Sequence, residues 1–366
     1  MSTLNFPNPA TPAPAPQAPA ATARSYRDYS RPLWQRVLFT RESAIIALLV
    51  IVWVGAVVLV PHFGTPITVT YLLRDIAPIL MIALPMTLVI ITGEIDLSVA
   101  SVMGLSSVLV GLLTAAGWPV EAAGLVAILA GLIGGAINGF LVAVVGLPSL
   151  AVTIGTLALF RGLAVGLLGT TAVTEFPQFW TDLVKSRIPG TPIPAVTILL
   201  VLLIAVFAVV LHFTSFGRGV YAIGLSKDAA AFSGVRVART KFILFLLTGA
   251  VSALAGIYYT LLYTSARGDN ATGVELSVIA AVLLGGVSIF GGRGALHGVV
   301  AGVLLIGALA SALRLAGVTS DVIGIITGTL LVLSVLTSSF LAWLQRARQG
   351  SRKKQQAPDT TKEGRQ

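Results

Sequence analysis

Residues 122–160 read AAGLVAILAGLIGGAINGFLVAVVGLPSLAVTIGTLALF, 39 residues without one charged side chain. A helix rising 1.5 Å per residue needs about 20 apolar residues to cross a hydrocarbon layer about 30 Å thick. The stretch is therefore twice too long for one crossing. It divides at Gly146-Leu147-Pro148, where proline lacks a backbone donor and disfavours helical geometry in the residue before it. Two adjacent membrane spans are the expectation, and they set the frame for the rest of the chain.

Outward from this pair, further charge-free runs cover 43–73, 76–93, 97–120, 188–217, 242–266, 276–292, 294–313 and 322–345. Ten spans follow, at 43–60, 74–93, 97–116, 121–143, 148–169, 194–214, 241–263, 275–291, 294–314 and 321–342. The fold class expected is an all-α polytopic membrane protein. Composition agrees: of 366 residues, 56% are hydrophobic and 10% charged, against about 25% charged in soluble domains. A water-soluble globular enzyme is excluded.

The net charge of +10 is not spread as a nucleic-acid stripe. Its basic residues crowd at 24–41, 218–241 and 346–365, flanking apolar runs. With both termini in the cytoplasm, these clusters and Arg293 fall on the cytoplasmic side, 18 of the 24 Lys and Arg residues, as the positive-inside rule requires. The first span reads as an uncleaved anchor, because a signal peptide's apolar segment should come sooner. Three divisions result: a Pro/Ala-rich, then basic segment at 1–42 expected to be disordered at its start, a transmembrane domain at 43–342, and a basic cytoplasmic tail at 343–366. The partners expected at this level are lipid and no nucleic acid.

Catalytic chemistry finds no foothold. The chain has no cysteine, and its three histidines, His62, His212 and His297, are too dispersed for a local metal motif. There is no G-x-x-x-x-G-K-[ST], H-E-x-x-H or G-x-S-x-G. Gly292-Arg293-Gly294 with Gly298 follows no strand and reads as a tight turn between helices. No catalytic residue, metal ligand or cofactor is expected. Gly131, Gly134, Gly135 and Gly139, with Gly155 and Gly162 on the next span, read as small surfaces for close helix packing.

Five polar residues stand out as candidates for a pathway or gate. Gly93-Glu94-Ile95-Asp96-Leu97-Ser98-Val99 and Gly273-Val274-Glu275-Leu276-Ser277-Val278 share the pattern acid-Leu-Ser-Val, one at an inner and one at an outer turn, as an inverted repeat requires. Asp96, Ser98, Glu275 and Ser277 are thus either helix-capping groups or part of a gate. Arg161 lies some 13 residues into its span. It either snorkels to the surface or, paired or in a watery cavity, steadies an outer gate or meets a polar solute.

Residues 217–237 form the longest cytoplasmic segment between spans. Ser226 can cap a short helix over 226–233, three alanines favour it and Gly234 can end it. Such a helix either lies on lipid or docks a partner.

Four segments together, TGEIDLSVAS at 92–101, GTLALFRG at 155–162, GRGVYAIGLSKDAAAFSGV at 217–235 and AAVLLGGVSIFGGRGALHG at 280–298, make the chain resemble the permease subunits of bacterial ABC importers for simple sugars, the group with ribose, rhamnose and autoinducer-2 permeases. It departs from the usual pattern at Glu94 and Ala100, where glycines are common, and at Leu225-Ser226, where Gly-Asn is common. The resemblance implies a non-catalytic, ten-helix importer half in the bacterial inner membrane. It would pair with a second permease subunit, identical or related. Its other partners would be two cytoplasmic ABC ATPase subunits, or one fused tandem ATPase, and an extracytoplasmic substrate-binding protein. ATPase coupling would fall on Gly224, Ser226, Asp228, Ala229, Ala230, Ala231, Ser233 and Gly234. A branched-chain amino-acid permease of similar architecture is the alternative. A stand-alone secondary transporter fits less well, because mid-span acids for ion coupling are scarce.

Overall fold

The computed structural model describes residues 41–333 and 336. The expectations for residues 1–40 and for the tail at 343–366 lie outside the described residues. Thirteen helices are described: α1 (Arg41–Leu59), α2 (Pro66–Ile91), α3 (Val99–Ala115), α4 (Val120–Ala143), α5 (Ser149–Leu168), α6 (Gln178–Lys185), α7 (Val196–Phe213), α8 (Ser215–Leu225), α9 (Lys227–Phe232), α10 (Val237–Tyr263), α11 (Val274–Leu284), α12 (Leu296–Leu315) and α13 (Ser320–Leu333). Among the described residues there is no sheet, only isolated bridges such as Val173 with Ala266. Six helices, α2, α4, α5, α7, α10 and α12, are long and apolar enough to cross a membrane; α1, α3, α11 and α13 are shorter and apolar.

The Gly146-Leu147-Pro148 break separates α4 from α5, with Gly146 at φ +85° and Pro148 as the N-cap of α5. The long helix α2 is the hub and is almost wholly buried. It carries Pro78 in its interior, which cannot donate to the carbonyl four residues earlier. That carbonyl, Arg74 O, accepts instead from the buried Tyr258 hydroxyl at 3.3 Å. Around the hub, α10 packs on α4 along glycines: a Cβ at Gly135 would collide with the Phe245 carbonyl, and one at Gly249 with the Gly131 carbonyl. Small residues let these backbones touch, which is how apolar helices gain van der Waals contact without a hydrophobic driving force. Gly155 and Gly162 do not serve this purpose, since a Cβ at either meets nothing within 4 Å. They sit on the outward side of α5, where Leu159 and Leu163 are exposed.

Two expectations need correction. The span expected at 275–291 stops at Leu284, because Gly286, Gly291, Gly292 and Gly294 all adopt positive φ and carry the chain out of helical geometry. The span expected from residue 74 begins eight residues earlier, at Pro66. Arg74 is consequently buried within α2, where its Nη2 donates to the Lys185 carbonyl.

Between α10 and α11 the chain folds back among the helices. Val173 and Ala266 exchange backbone hydrogen bonds at 3.0 and 2.9 Å. Four residues later Asn270 Nδ2 donates to Ser107 Oγ, at the middle of α3, at 2.9 Å. Helix α11 therefore starts inside the bundle as a half-length helix.

Candidate functional site

At one end of the bundle three of the singled-out segments converge. Gly224, near the end of α8, packs so closely on the Ile91 carbonyl and the Gly292 amide that no side chain fits. Its role here is close approach between backbones. Gly292 N donates to Ile91 O at 2.8 Å, and the Tyr221 hydroxyl donates to Gly294 O at 2.7 Å. The C-terminus of α2, helix α8 and the glycine turn before α12 are thus pinned to one another through backbone.

A second tie is ionic. The turn after α2 carries Glu94, whose Oε1 meets Lys227 Nζ at 3.2 Å and also bonds Lys241 Nζ. Lys241 is 6% exposed and Lys227 59%. Burial pulls the Glu94 carboxyl upward, but Lys241, Ser149 and Lys227 outweigh it and hold it below the ordinary carboxylate value. Lys241 was counted among basic residues that set topology; the structure makes it a buried partner of an acid. Glu94 and the two lysines are the residues that sequence reasoning missed. The available signal was Glu94 standing where the resemblance suggested glycine.

Asp96 lies two residues on and is 1% exposed. Its Oδ1 accepts from Ser98 N at 3.0 Å and Ser98 Oγ at 2.6 Å, and its Oδ2 accepts from Thr248 Oγ1 at 2.8 Å. Asn138 Nδ2 in turn donates to Ser98 Oγ at 2.8 Å. Asp96 and Ser98 therefore clasp α3, α4 and α10 together, a wider role than capping one helix. Ser149 Oγ, at the start of α5, accepts from Ile95 N at 3.2 Å and holds the same turn from outside.

Helix α9 stands on this junction. Ser226 Oγ caps it by accepting from Ala229 N at 3.3 Å, and Gly234 follows at φ +85°. The three alanines do not share a face: Ala230 is buried, while Ala229 and Ala231 are exposed with Asp228 and Ser233. Phe232 is 94% exposed and Leu225 72%. Two large apolar side chains thus flank the helix in the open.

The remaining candidates lie elsewhere. Arg161 Nη1 donates to Gly268 O at 3.1 Å and Asn270 O at 2.5 Å, in the loop that precedes α11. A Cβ at Gly104 would sit 2.9 Å from that nitrogen, so glycine makes room for it. Arg161 is turned inward and satisfied by backbone, unlike a snorkelling side chain. Glu275 occupies the first turn of α11 with its Oε2 buried and unpartnered. Ser277 lines a cavity of about 680 Å³ between α2, α11, α12 and α13. The five gate candidates are therefore divided between two regions, Asp96 with Ser98 and Arg161 with Glu275 and Ser277. Among the described residues no cluster of acids or histidines could hold a metal ion.

Residues 68–335 match the family described as branched-chain amino acid transport system / permease component. The chain belongs to this permease family. It is 37% identical over 281 residues to the autoinducer 2 import system permease protein LsrD of Photorhabdus luminescens, covering 73% of this chain and 84% of that one. The LsrD protein of Yersinia pseudotuberculosis (strain YPIII) is similar to the same extent. That of Escherichia coli O157:H7 is 36% identical over 310 residues, covering 83% of this chain and 93% of its own. No solved structure matches. This permease is a multi-pass membrane subunit of an ABC importer, the subunit that forms the passage and carries no catalysis.

Proposed function

We propose that this permease moves a simple sugar or sugar-like small molecule inward, driven by ATP hydrolysis on another chain. The carrying observation is the junction beneath α9, where an exposed helix with two open apolar side chains is tied by Lys227 to Glu94 and by Gly224 to Ile91 and Gly292. A partner that pulls on α9 acts directly on the ends of α2, α3 and α12. Coupling of this kind is an exchange of binding free energy between two sites and needs no catalytic residue. Phe232 and Leu225 would enter a cleft of the ATPase, with Asp228, Ala229, Ala231 and Ser233 around them.

In this reading the chain crosses ten times, with α1, α3 and α13 as shorter crossings, the half-length α11 completing one crossing together with the non-helical chain before it, and both termini in the cytoplasm. The basic residues of 218–241 and Arg293 support that orientation, because Tyr221 and Gly294 bind each other and so put both segments on one side. A second permease subunit, two ATPase subunits and an extracytoplasmic binding protein complete the assembly. Substrate class is drawn from the LsrD relatives, whose names specify autoinducer 2 import.

The test is uptake by proteoliposomes holding the permease with its ATPase and binding protein, offered a panel of labelled sugars and branched-chain amino acids. Accumulation of a sugar that requires all three components is the expected result. Accumulation of leucine alone would transfer the chain to the amino-acid branch of the family. Uptake without the ATPase would overturn the importer reading.

A further inference from the structure

We propose that Arg161 is a two-position latch, holding the loop before α11 in this structure and passing to the Glu275 carboxylate when that loop is released during transport. Both are positioning residues: they set where α5 and the half-helix α11 stand and need not touch cargo. The latch rests on the ATP-driven reading above, whichever solute is carried.

The loop between α10 and α11 is wedged in a slot that glycines open. A Cβ at Gly104 would stand 2.8 Å from the Asn270 carbonyl oxygen and one at Gly268 2.8 Å from Val165 Cα, while one at Gly111 would collide with Ala266. Loop backbone thereby lies directly against α3 and α5. Non-helical backbone among membrane helices is tolerated only where protein or water satisfies it. The bonds that tie this loop to the bundle come from Arg161 Nη1 to the carbonyls of Gly268 and Asn270, from the Val173 backbone to Ala266, and from Asn270 Nδ2 to Ser107 Oγ. Its ends are strained. Thr264 at φ +50° and Ala271 at φ +64° occupy the left-handed region, which is unfavourable for a residue with a Cβ. Such strain persists only where surrounding contacts hold it, so the loop is poised to move once Arg161 lets go.

A second seat for the guanidinium stands close by. Glu275, in the first turn of α11, has its Oε2 buried without a hydrogen-bond partner among the described residues. A buried carboxylate oxygen left unpaired is unfavourable and calls for an explanation; a partner gained in another state supplies one. Of the acids that act on Arg161, Glu275 acts most strongly, ahead of Asp269. Asp269 is already engaged by Arg267 through two bonds at 2.8 and 2.9 Å. Glu275 is thus the acid left open. Arg161 holds the loop through Nη1, and a guanidinium carries five N–H donors in a planar fork that a carboxylate can receive two at a time. Trading two neutral carbonyls for one carboxylate exchanges one satisfied arrangement for another, as a latch with two rest positions requires.

The test uses proteoliposomes holding the complete importer, with ATPase and binding protein, offered the solute that the parent accumulates. Glu275→Gln keeps the size of the side chain and removes its charge. It should be at least as stable as the parent and retain basal ATP hydrolysis, yet take up solute about tenfold more slowly, with Glu275→Asp recovering part of the rate. Arg161→Ala combined with Glu275→Gln should be no slower than Arg161→Ala alone, because two residues of one latch are not additive. Ser265→Cys introduces a single thiol at a half-buried loop position in a chain without cysteine. A small charged maleimide should label it about tenfold faster during ATP turnover than at rest, and that difference should vanish in the Glu275→Gln background. Normal uptake by Glu275→Gln, with labelling of Ser265→Cys still raised by ATP, would overturn the latch alone. Uptake by the parent without its ATPase would overturn the ATP-driven reading and the latch with it. If the double variant fails to assemble, uptake by Glu275→Gln and the labelling of Ser265→Cys still decide the matter.

Discussion

Lys227, the first residue of α9, places its Nζ 3.2 Å from the carboxylate of Glu94 in the turn after α2. Lys241 holds the same oxygen from the buried side. One acid therefore joins an exposed helix to the interior of the bundle, and the two lysines should respond differently to its loss. Glu94→Gln leaves Lys241 charged and buried without its partner, a loss of about 3–5 kcal/mol for a broken buried pair. Lys227→Ala removes an exposed contact of about 0–1 kcal/mol. Melting of the detergent-solubilised protein should drop clearly for the first and little for the second. In reconstituted vesicles both should lower uptake per ATP hydrolysed; unchanged coupling in both would reduce the triad to a structural role.

The same acid predicts a pH response. Its carboxyl lies below the ordinary value in the folded protein, so the stabilisation it gives is complete above the unfolded-state pKa and disappears as pH falls through the lowered folded value. Between about pH 6 and about pH 8 the Glu94 contribution should be flat. Thermal stability of the parent minus that of Glu94→Gln, measured across this range, should stay constant. A difference that collapses on going from pH 8 to pH 6 would contradict the assignment.

Arg161 binds the carbonyls of Gly268 and Asn270 and so fixes the loop before the half-helix α11. Arg161→Ala should reduce uptake more than assembly, and Arg161→Lys should recover part of it, because one ammonium can replace one of the two contacts. Full uptake by a well-assembled Arg161→Ala protein would show that the loop holds its place without it.

On α9, buried and exposed alanines separate folding from docking. Ala230→Glu buries an unpaired charge against the protein's own core and should destabilise the α8–α9 segment by about 1–3 kcal/mol or more. Ala231→Glu and Phe232→Ser alter only the exposed side. They should leave melting unchanged and weaken co-purification with the ATPase. Normal docking and substrate-stimulated hydrolysis in both surface variants would make α9 a helix that merely rests on lipid.

Gly224 gives the most local prediction. A methyl group there collides with the backbone of Ile91 and Gly292, neither of which can swing away. Gly224→Ala should cost about 1–3 kcal/mol by overpacking, and Gly224→Val more. Gly155→Ala, which meets open space, should be silent in the same melting assay.

Much of the architecture was legible along the chain because apolar length is a one-dimensional property. A run such as 122–160 must be buried in lipid or protein wherever it lies, and Pro148 must interrupt it. Ser226 and Gly234 likewise announce the ends of α9 through local backbone chemistry. What a residue faces is not local. Sequence placed three alanines side by side, but a helix turns about 100° per residue, and only packing put Ala230 inward and its neighbours outward. Glu94, Lys227 and Lys241 are separated by up to 147 positions, and a short-range pattern contains no trace of their meeting. The early end of α11 was hidden for a related reason: residues 285–291 are apolar enough to extend a span, yet Gly286 and Gly291 take positive φ, and Gly291 lies against the backbone of Ile91 and Gly224. Hydropathy measures how much surface must leave water, whereas tertiary contact decides which backbone has room for a side chain and which charge finds its partner.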